Sequence, residues 1–411
     1  MKIVHISSGN IASGSFLGLL NLHEKLIKNK IDSVILNDFS FDKNNIKKIN
    51  FIDDTISSKV KLKAINFLNK LPKVFYYKRS SRTFSNSFFG IDISQYKEIV
   101  SADLLHIHWI GNSYSNLAFI DKINKPIVWT LRDMWAFTGG CHYSLNCNKF
   151  KFNCGKCNLL NSNYKKDLSY WNYNIKKNKN YKNINFVAIS NWLKKEALKS
   201  KIFKKKKIDV IYNGVDKSKF YFEINKKFLK KNKIPLNKKI LLFGAQYIDA
   251  DYKGLKYFIK SLNKIDTKNY FVIFFGKFYN THLLNNLKIH YKIFGQINKL
   301  NHLRTLYSIS NVYVMSSIQE GFGKTAVESL LCGTPVVCFK KTAISEIILH
   351  KKNGYCADFL DTYDLYKGIT WITKKQKKKF KKICINYARK KFDSTNMTNG
   401  YIKLYKKLLK R

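Results

Sequence analysis

Short apolar runs separated by helix-length segments recur along the whole chain, and this rhythm narrows its fold more than any other feature. The first run, residues 2–6, leads into Ser7-Ser8-Gly9 and Ser13-Gly14-Ser15, after which Leu17, Leu20, Leu22 and Leu26 mark a helix. Further runs at 33–36, 103–108, 126–131, 185–189 and 208–211 read as strands with polar or helical segments between most of them. A strand that is apolar along its whole length must be buried on both faces, as in a parallel sheet wound with helices on either side. The pattern breaks at Tyr212-Asn213-Gly214-Val215-Asp216, where a turn dipeptide precedes a lysine-rich stretch ending at Lys239. It then restarts, with strands expected at 240–243, 270–275, 292–294, 312–315 and 335–339. A chain of 411 residues also exceeds the length that one core usually serves. The expected architecture is therefore α/β: two Rossmann-like, doubly wound domains at 1–213 and 214–394, with a C-terminal helix at about 395–411 packing back on the first.

The formal charge of +50, from 76 lysines and arginines against 26 acidic residues, raises the question of a polyanionic partner. The excess is mostly lysine accompanied by abundant Asn, Ile, Tyr and Phe, the composition an AT-rich coding bias produces. Basic runs at 203–208 and 373–382 lack the interleaved aromatics that stack bases, so nucleic acid is set aside. A solvated lysine surface is the first reading, and attraction to an anionic membrane surface the second. No N-terminal stretch combines a basic start, an apolar run and a small-residue cleavage site, and no window approaches ~18 consecutive apolar residues. The expected location is cytoplasmic, with the inner face of the plasma membrane as the surface for any peripheral attachment.

The most informative segment runs from Gln319 through Glu320-Gly321-Phe322-Gly323-Lys324 to Leu330, followed by Cys332-Gly333-Thr334-Pro335. It reads as a strand end, a glycine loop and a helix. Glycines at 321 and 323 let the backbone approach a ligand, and a helix N-terminus presents amide N–H groups to an anion, for which a diphosphate is well suited. Glu320 falls in the loop and Glu328 about one turn inside the helix; ionised carboxylates only accept hydrogen bonds, which matches them to sugar hydroxyls. The plain alternative is a charged loop before an ordinary capped helix.

This segment resembles the donor-binding signature of family 4 retaining glycosyltransferases of the GT-B fold, two Rossmann-like domains facing across a cleft. The resemblance implies that Glu320 contacts the donor sugar, Glu328 the nucleotide ribose, and the backbone at Phe322 and Gly323 the sugar or phosphate, with Lys324 beside them. Ser345-Glu346-Ile347 and Asn353-Gly354 are similar to further family landmarks, with Ser345 in place of a proline. Residues 249–254 resemble the segment whose basic pair neutralises the diphosphate. Lys253 matches the lysine of that pair, while Gly244-Ala245-Gln246 stands where the arginine is usual. A surface lysine is the alternative for Lys253.

The block from Trp129 to Tyr143, containing Arg132-Asp133 and Thr138-Gly139-Gly140-Cys141, closely resembles a subgroup of these enzymes found in bacterial surface-polysaccharide assembly. Asp133 matches the family pattern, and Arg132 replaces a histidine that touches the donor sugar. This departure implies either an altered donor choice or a weakly active protein. His106 and His108 close the strand at 104–109 and His108 is a candidate substrate contact, against the alternative of structural histidines. Gly14 is where relatives let donor phosphate or acceptor come close, or else a tight turn. Cys141, Cys147, Cys154 and Cys157 end in a Cys-x-x-Cys pair and have the chemistry of a structural zinc site; free thiols and two disulfides remain open alternatives.

The resulting expectation is retaining transfer of a sugar from a nucleotide-diphosphate donor to a hydroxyl of a lipid-linked glycan in cell-surface polysaccharide or lipopolysaccharide assembly. No catalytic cofactor or metal is expected, because no acidic triplet suits magnesium on a diphosphate. Catalysis would rest on Glu320, Lys253, Arg132 and Asp133. The rival readings are a catalytically silent partner subunit of the same family and a basic nucleic-acid-binding protein.

Overall fold

The computed structural model describes residues 1–8, 13–37, 49–51, 56–80, 83–86, 88–111, 117–285 and 287–410; Gly9 of the first loop lies outside them. The chain divides into two compact units, Met1–Tyr212 together with Met397–Arg411, and Asn213–Asn396.

The first unit is built on a parallel sheet of β1 (Lys2–Ser7), β2 (Asp32–Asn37), β3 (Ile49–Phe51), β4 (Leu104–Ile107), β5 (Ile127–Leu131), β6 (Ile184–Ala188) and β7 (Ile208–Val210), in the order β3-β2-β1-β4-β5-β6-β7. Every residue of β4 and β5 is buried, as their continuous apolar runs require. The helix Gly14–Lys28 starts where the Ser13 hydroxyl accepts from the Phe16 amide, and it buries Phe16, Leu19, Leu22 and Leu26. The helix Ser394–Leu408 places Met397, Tyr401 and Tyr405 in the same core as Ile3, Leu22, Leu104, Val128 and Val187. Burial of each such side chain contributes about 2 kcal/mol, so the end of the chain is part of the first unit's core.

The second unit holds β8 (Lys239–Tyr247), β9 (Tyr270–Lys277), β10 (Tyr291–Ile293), β11 (Val312–Met315), β12 (Val336–Phe339) and β13 (Gly354–Ala357), parallel and in the order β10-β9-β8-β11-β12-β13. Counted from its own first strand, each sheet has the same doubly wound order, reversing between β1 and β4 in one and between β8 and β11 in the other. At such a reversal the connections leave in opposite directions and open a crevice at the carboxyl ends of the strands. The short edge strands β3 and β13 were not anticipated: the first spans three residues and the second begins on a glycine, so neither carries a readable alternation. Among the described residues no helix is long and apolar enough to cross a membrane.

Candidate active site

In the second unit the loops leaving β8 and β11 meet at the strand-order reversal. The turn Asp251–Lys253 after β8 ends on Gly254, whose φ of +69° lies in the left-handed region. A Cβ there would sit 1.9 Å from the Ser316 carbonyl, so only glycine permits this approach. Ser316 Oγ donates to the Gly254 carbonyl at 2.8 Å and the Ile318 amide to the Tyr252 carbonyl at 2.8 Å, pinning one loop to the other. These ties set Lys253 against Glu320: Lys253 Nζ donates to Glu320 Oε2 at 2.6 Å, with side chains only 17% and 14% exposed. Burial acts to lower the Lys253 pKa, but the Glu320 carboxylate and Tyr252 outweigh it and hold the ammonium above its ordinary value.

Beyond Glu320, Gly323 adopts φ +96° and starts the helix Lys324–Leu331 without a side-chain cap. Phe322 is buried with its ring 5.8 Å from that of Phe392. Glu328 is buried one turn into this helix, where Tyr307 Oη donates to Oε2 at 3.1 Å and Lys324 Nζ lies 3.4 Å from Oε1. Burial raises the Glu328 carboxyl above the usual range, with Lys324 and Tyr307 pulling in the other direction. At the position without the usual arginine, Gly244 lies under the Phe275 ring, and its carbonyl accepts from Tyr313 Oη at 2.7 Å. Nearby, Ser345 Oγ donates to Thr342 and Asn353 Oδ1 accepts from the Leu349 amide.

In the first unit, Arg132 is buried at the end of β5 and donates from Nη2 to His108 Nδ1 at 2.8 Å. A guanidinium only donates, so this contact fixes a whole series of roles. His108 must carry its proton on Nε2 and donate to His5 Nδ1 at 3.0 Å; His5 Nε2 then donates to Ser33 Oγ at 3.1 Å, which is also bonded to His23 Nδ1 at 2.8 Å. His106 stands beside this chain, bonded to Tyr405 at 2.6 Å and Thr130 at 2.7 Å. Asp133 accepts from Trp109 Nε1 at 3.0 Å, from His142 Nδ1 at 2.7 Å and from the Trp135 amide at 2.8 Å. His142 Nε2 in turn faces Ser85 Oγ at 3.0 Å.

Comparison with known proteins matches a family to each part of the chain. The family described as Glycosyl transferases group 1 matches residues 224–391, and Glycosyltransferase Family 4 matches residues 55–219. The chain belongs to glycosyltransferase family 4. An uncharacterised glycosyltransferase of Methanocaldococcus jannaschii is 28% identical over 49% of this chain and 52% of its own length. The N,N'-diacetylbacillosaminyl-diphospho-undecaprenol alpha-1,3-N-acetylgalactosaminyltransferase of Campylobacter jejuni is 26% identical over 52% of this chain and 58% of its own length. The matched part thus spans little more than half of these two curated relatives. Anabaena HepE, solved with UDP-glucose, superposes with a TM-score of 0.68 over 99% of this chain and 100% of its own, at 14% identity, a likeness of fold. The fold is GT-B, two Rossmann-like domains.

Gly14 is the first residue of its helix, and among the described residues a Cβ there would meet nothing within 4 Å. The four expected zinc ligands carry free thiols. Burial first, then the neighbouring thiols, pushes Cys141 up to about 12 and raises Cys154, and burial followed by Asp167 and Cys147 raises Cys157. Backbone N–H groups of Gly139 and of Leu159 and Leu160 point at the Cys154 and Cys157 sulfurs. No three of these thiols converge within 4.8 Å; among the described residues the group that does is His5, His106 and His108, whose ring nitrogens are already taken up by the hydrogen bonds above.

Several residues of these networks were not singled out from sequence. His5 is one, although it pairs in register with His106 across β1 and β4. Another is Lys176, fully buried, which donates to the Trp135 carbonyl at 2.6 Å and the Thr138 carbonyl at 3.1 Å and lies 3.7 Å above the Trp135 ring. A lysine in a chain with this many carries no sequence signal.

Proposed function

We propose that the protein is a retaining, metal-independent glycosyltransferase that moves a sugar from a nucleotide diphosphate to a hydroxyl of a lipid-linked glycan in cell-surface polysaccharide assembly. The observation that carries this reading is the Lys253–Glu320 pair beside the start of the helix Lys324–Leu331. Glu320 would accept from hydroxyls of the donor sugar and Glu328 from the ribose, with Phe322, Gly323 and Lys324 lining the diphosphate. A departing nucleoside diphosphate gains negative charge as the glycosidic bond breaks, and Lys253 with the helix terminus meets that charge where it develops. The front-face route implied by the family resemblance has the leaving phosphate oxygen take the acceptor hydroxyl's proton, so no protein nucleophile is needed. Arg132, Asp133, His108 and Gly14 would orient the reactants on the first unit.

The UDP-glucose complex of Anabaena HepE and the diphospho-undecaprenol named for the Campylobacter relative support the donor and acceptor classes. The site of action would be the cytoplasmic face of the membrane. The four-cysteine segment would close on a structural zinc, the backbone N–H groups aimed at Cys154 and Cys157 being suited to thiolates. The deciding experiment is a thermal-shift panel of nucleoside diphosphates followed by transfer assays with the sugar of the base that binds. One base should raise the melting temperature, and the product should keep the donor's anomeric configuration by NMR. Nucleotide binding without turnover would instead favour the silent-partner reading that Arg132 motivates.

A further inference from the structure

The helix Ile56–Lys70 continues into the tight turn Leu71–Lys73, and the two faces of this segment carry unusual chemistry. Asn66, Asn69, Lys70 and Lys73 fall at the i, i+3, i+4, i+7 spacing of one helical stripe, and all four line a cavity of about 490 Å³. Arg79 and Ser85 line it as well, and among the described residues no acidic side chain does. Asn69 fixes the stripe in place: its side chain donates to the Phe89 carbonyl at 3.0 Å and accepts from the Phe89 amide at 3.3 Å. Lys73 Nζ donates to the Phe84 carbonyl at 3.2 Å, and Arg79 Nη1 to the Lys73 carbonyl at 2.9 Å. Three cations thus converge on one cavity wall. Burial first, and then Arg79 and Lys70, hold the Lys73 ammonium below its ordinary pKa, a repulsion that a bound anion would relieve.

The same segment exposes a row of large apolar side chains. Val60, Phe67, Val74, Phe75 and Tyr77 are between 60% and 83% exposed, and Val74 also lines the cavity, so the apolar row begins at its rim. A helix of a soluble core would bury such a row; here it faces outward beside a cationic pocket. Ser85, in the cavity lining, bonds His142, which bonds Asp133, so the cavity stands two hydrogen bonds from a candidate catalytic carboxylate.

We propose that this cavity is the seat of a lipid-borne phosphate, with Lys70, Lys73 and Arg79 receiving the anion and Phe67, Val74 and Phe75 receiving its hydrocarbon chain. The proposal deepens the acceptor assignment above and rests on the acceptor being lipid-linked. Neither half of the surface explains the other's position alone: a phosphate pocket needs no exposed phenylalanines, and a bare apolar docking face needs no cluster of cations around a cavity. An amphiphile carrying a phosphate requires both.

The test uses the full chain and two probes, farnesyl diphosphate and inorganic pyrophosphate, titrated calorimetrically. Farnesyl diphosphate should bind at least about tenfold more tightly, because only its chain reaches the apolar row. The double variant Lys70→Gln, Arg79→Gln should weaken both probes by about tenfold or more, since each removed cation faced the phosphate. The double variant Phe67→Ser, Phe75→Ser should bring the two probes to equal affinity. Equal affinities in the unsubstituted protein would mark a free-phosphate site and overturn the proposal, as would binding that neither variant alters. Stabilisation by a nucleoside diphosphate, read on the same samples, depends on the second unit and reports separately on the donor reading.

Discussion

Lys253 Nζ and Glu320 Oε2 are 2.6 Å apart, although 67 residues separate them in the chain. Each sits at the carboxyl end of one of the two strands between which the second sheet reverses its order, and both are largely buried. The pair keeps the lysine charged and the carboxylate oriented before any ligand arrives, which is preorganisation in the sense that matters for a developing diphosphate charge. Replacing Glu320 by Gln is expected to lower sugar transfer about 100-fold or more while leaving the far-UV spectrum unchanged. Lys253→Met should lower kcat to a similar degree and also leave a carboxylate without its partner, costing about 1–3 kcal/mol in denaturant melts. A Glu320→Gln enzyme with full activity would remove the core of the functional reading.

Arg132 and Gly18 form a second coupled pair. An ideal Cβ on Gly18 would lie 2.7 Å from Arg132 Nη1, and Arg132 is held from its other side by His108. Gly18→Ala should therefore cost about 1–3 kcal/mol by overpacking, and most of that cost should vanish in an Arg132→His background. Denaturant melts of the four proteins in this cycle measure the coupling. An undiminished Gly18→Ala cost in the background lacking Arg132 would show that the glycine answers to something else.

The buried histidines predict a direction for acid sensitivity. Burial first, then the neighbouring histidines and Arg132, holds His5, His106 and His108 well below the 6.5 of a free ring. In the folded protein they stay neutral, while the unfolded chain binds protons at each as pH falls through that value. A depressed folded pKa thus leaves stability intact above about pH 6.5 and withdraws it progressively below. The melting temperature should fall between about pH 7 and 5, and His106→Asn should flatten that dependence. A melting temperature that rises over this interval would contradict the assignment.

Lys176 tests the segment that carries the cysteines. Its ammonium serves the carbonyls of Trp135 and Thr138, and burial, opposed by Cys141 and Cys154, lowers its pKa to about 7. Lys176→Met should cost about 2–4 kcal/mol, because two buried carbonyls lose their donor. Metal analysis of the purified protein should find about one zinc per chain, removable by chelator with a drop in melting temperature. Absence of zinc from a fully stable protein would return the cysteines to the free-thiol alternative.

The sequence by itself determined the two sheets and the position of the glycine loop before the helix Lys324–Leu331, because both are written in local patterns. Apolar runs such as 126–131 and 312–315 must be buried on both faces, and Gly321 and Gly323 before a helical segment announce a close backbone approach. Only the tertiary structure decided which of these residues meet. Lys253 is one of many lysines until the Gly254–Ser316 contact draws its turn against Glu320. Arg132 reads as a lone departure until His108 and His5 are seen to take their hydrogen-bond roles from it. The four cysteines share a short stretch of sequence and their thiols act on one another, yet no three of them come within 4.8 Å, as His5, His106 and His108 do. Hydrophobic periodicity is a property of neighbours in the chain, whereas a polar network is made by strand order and register, and those form only when distant segments pack.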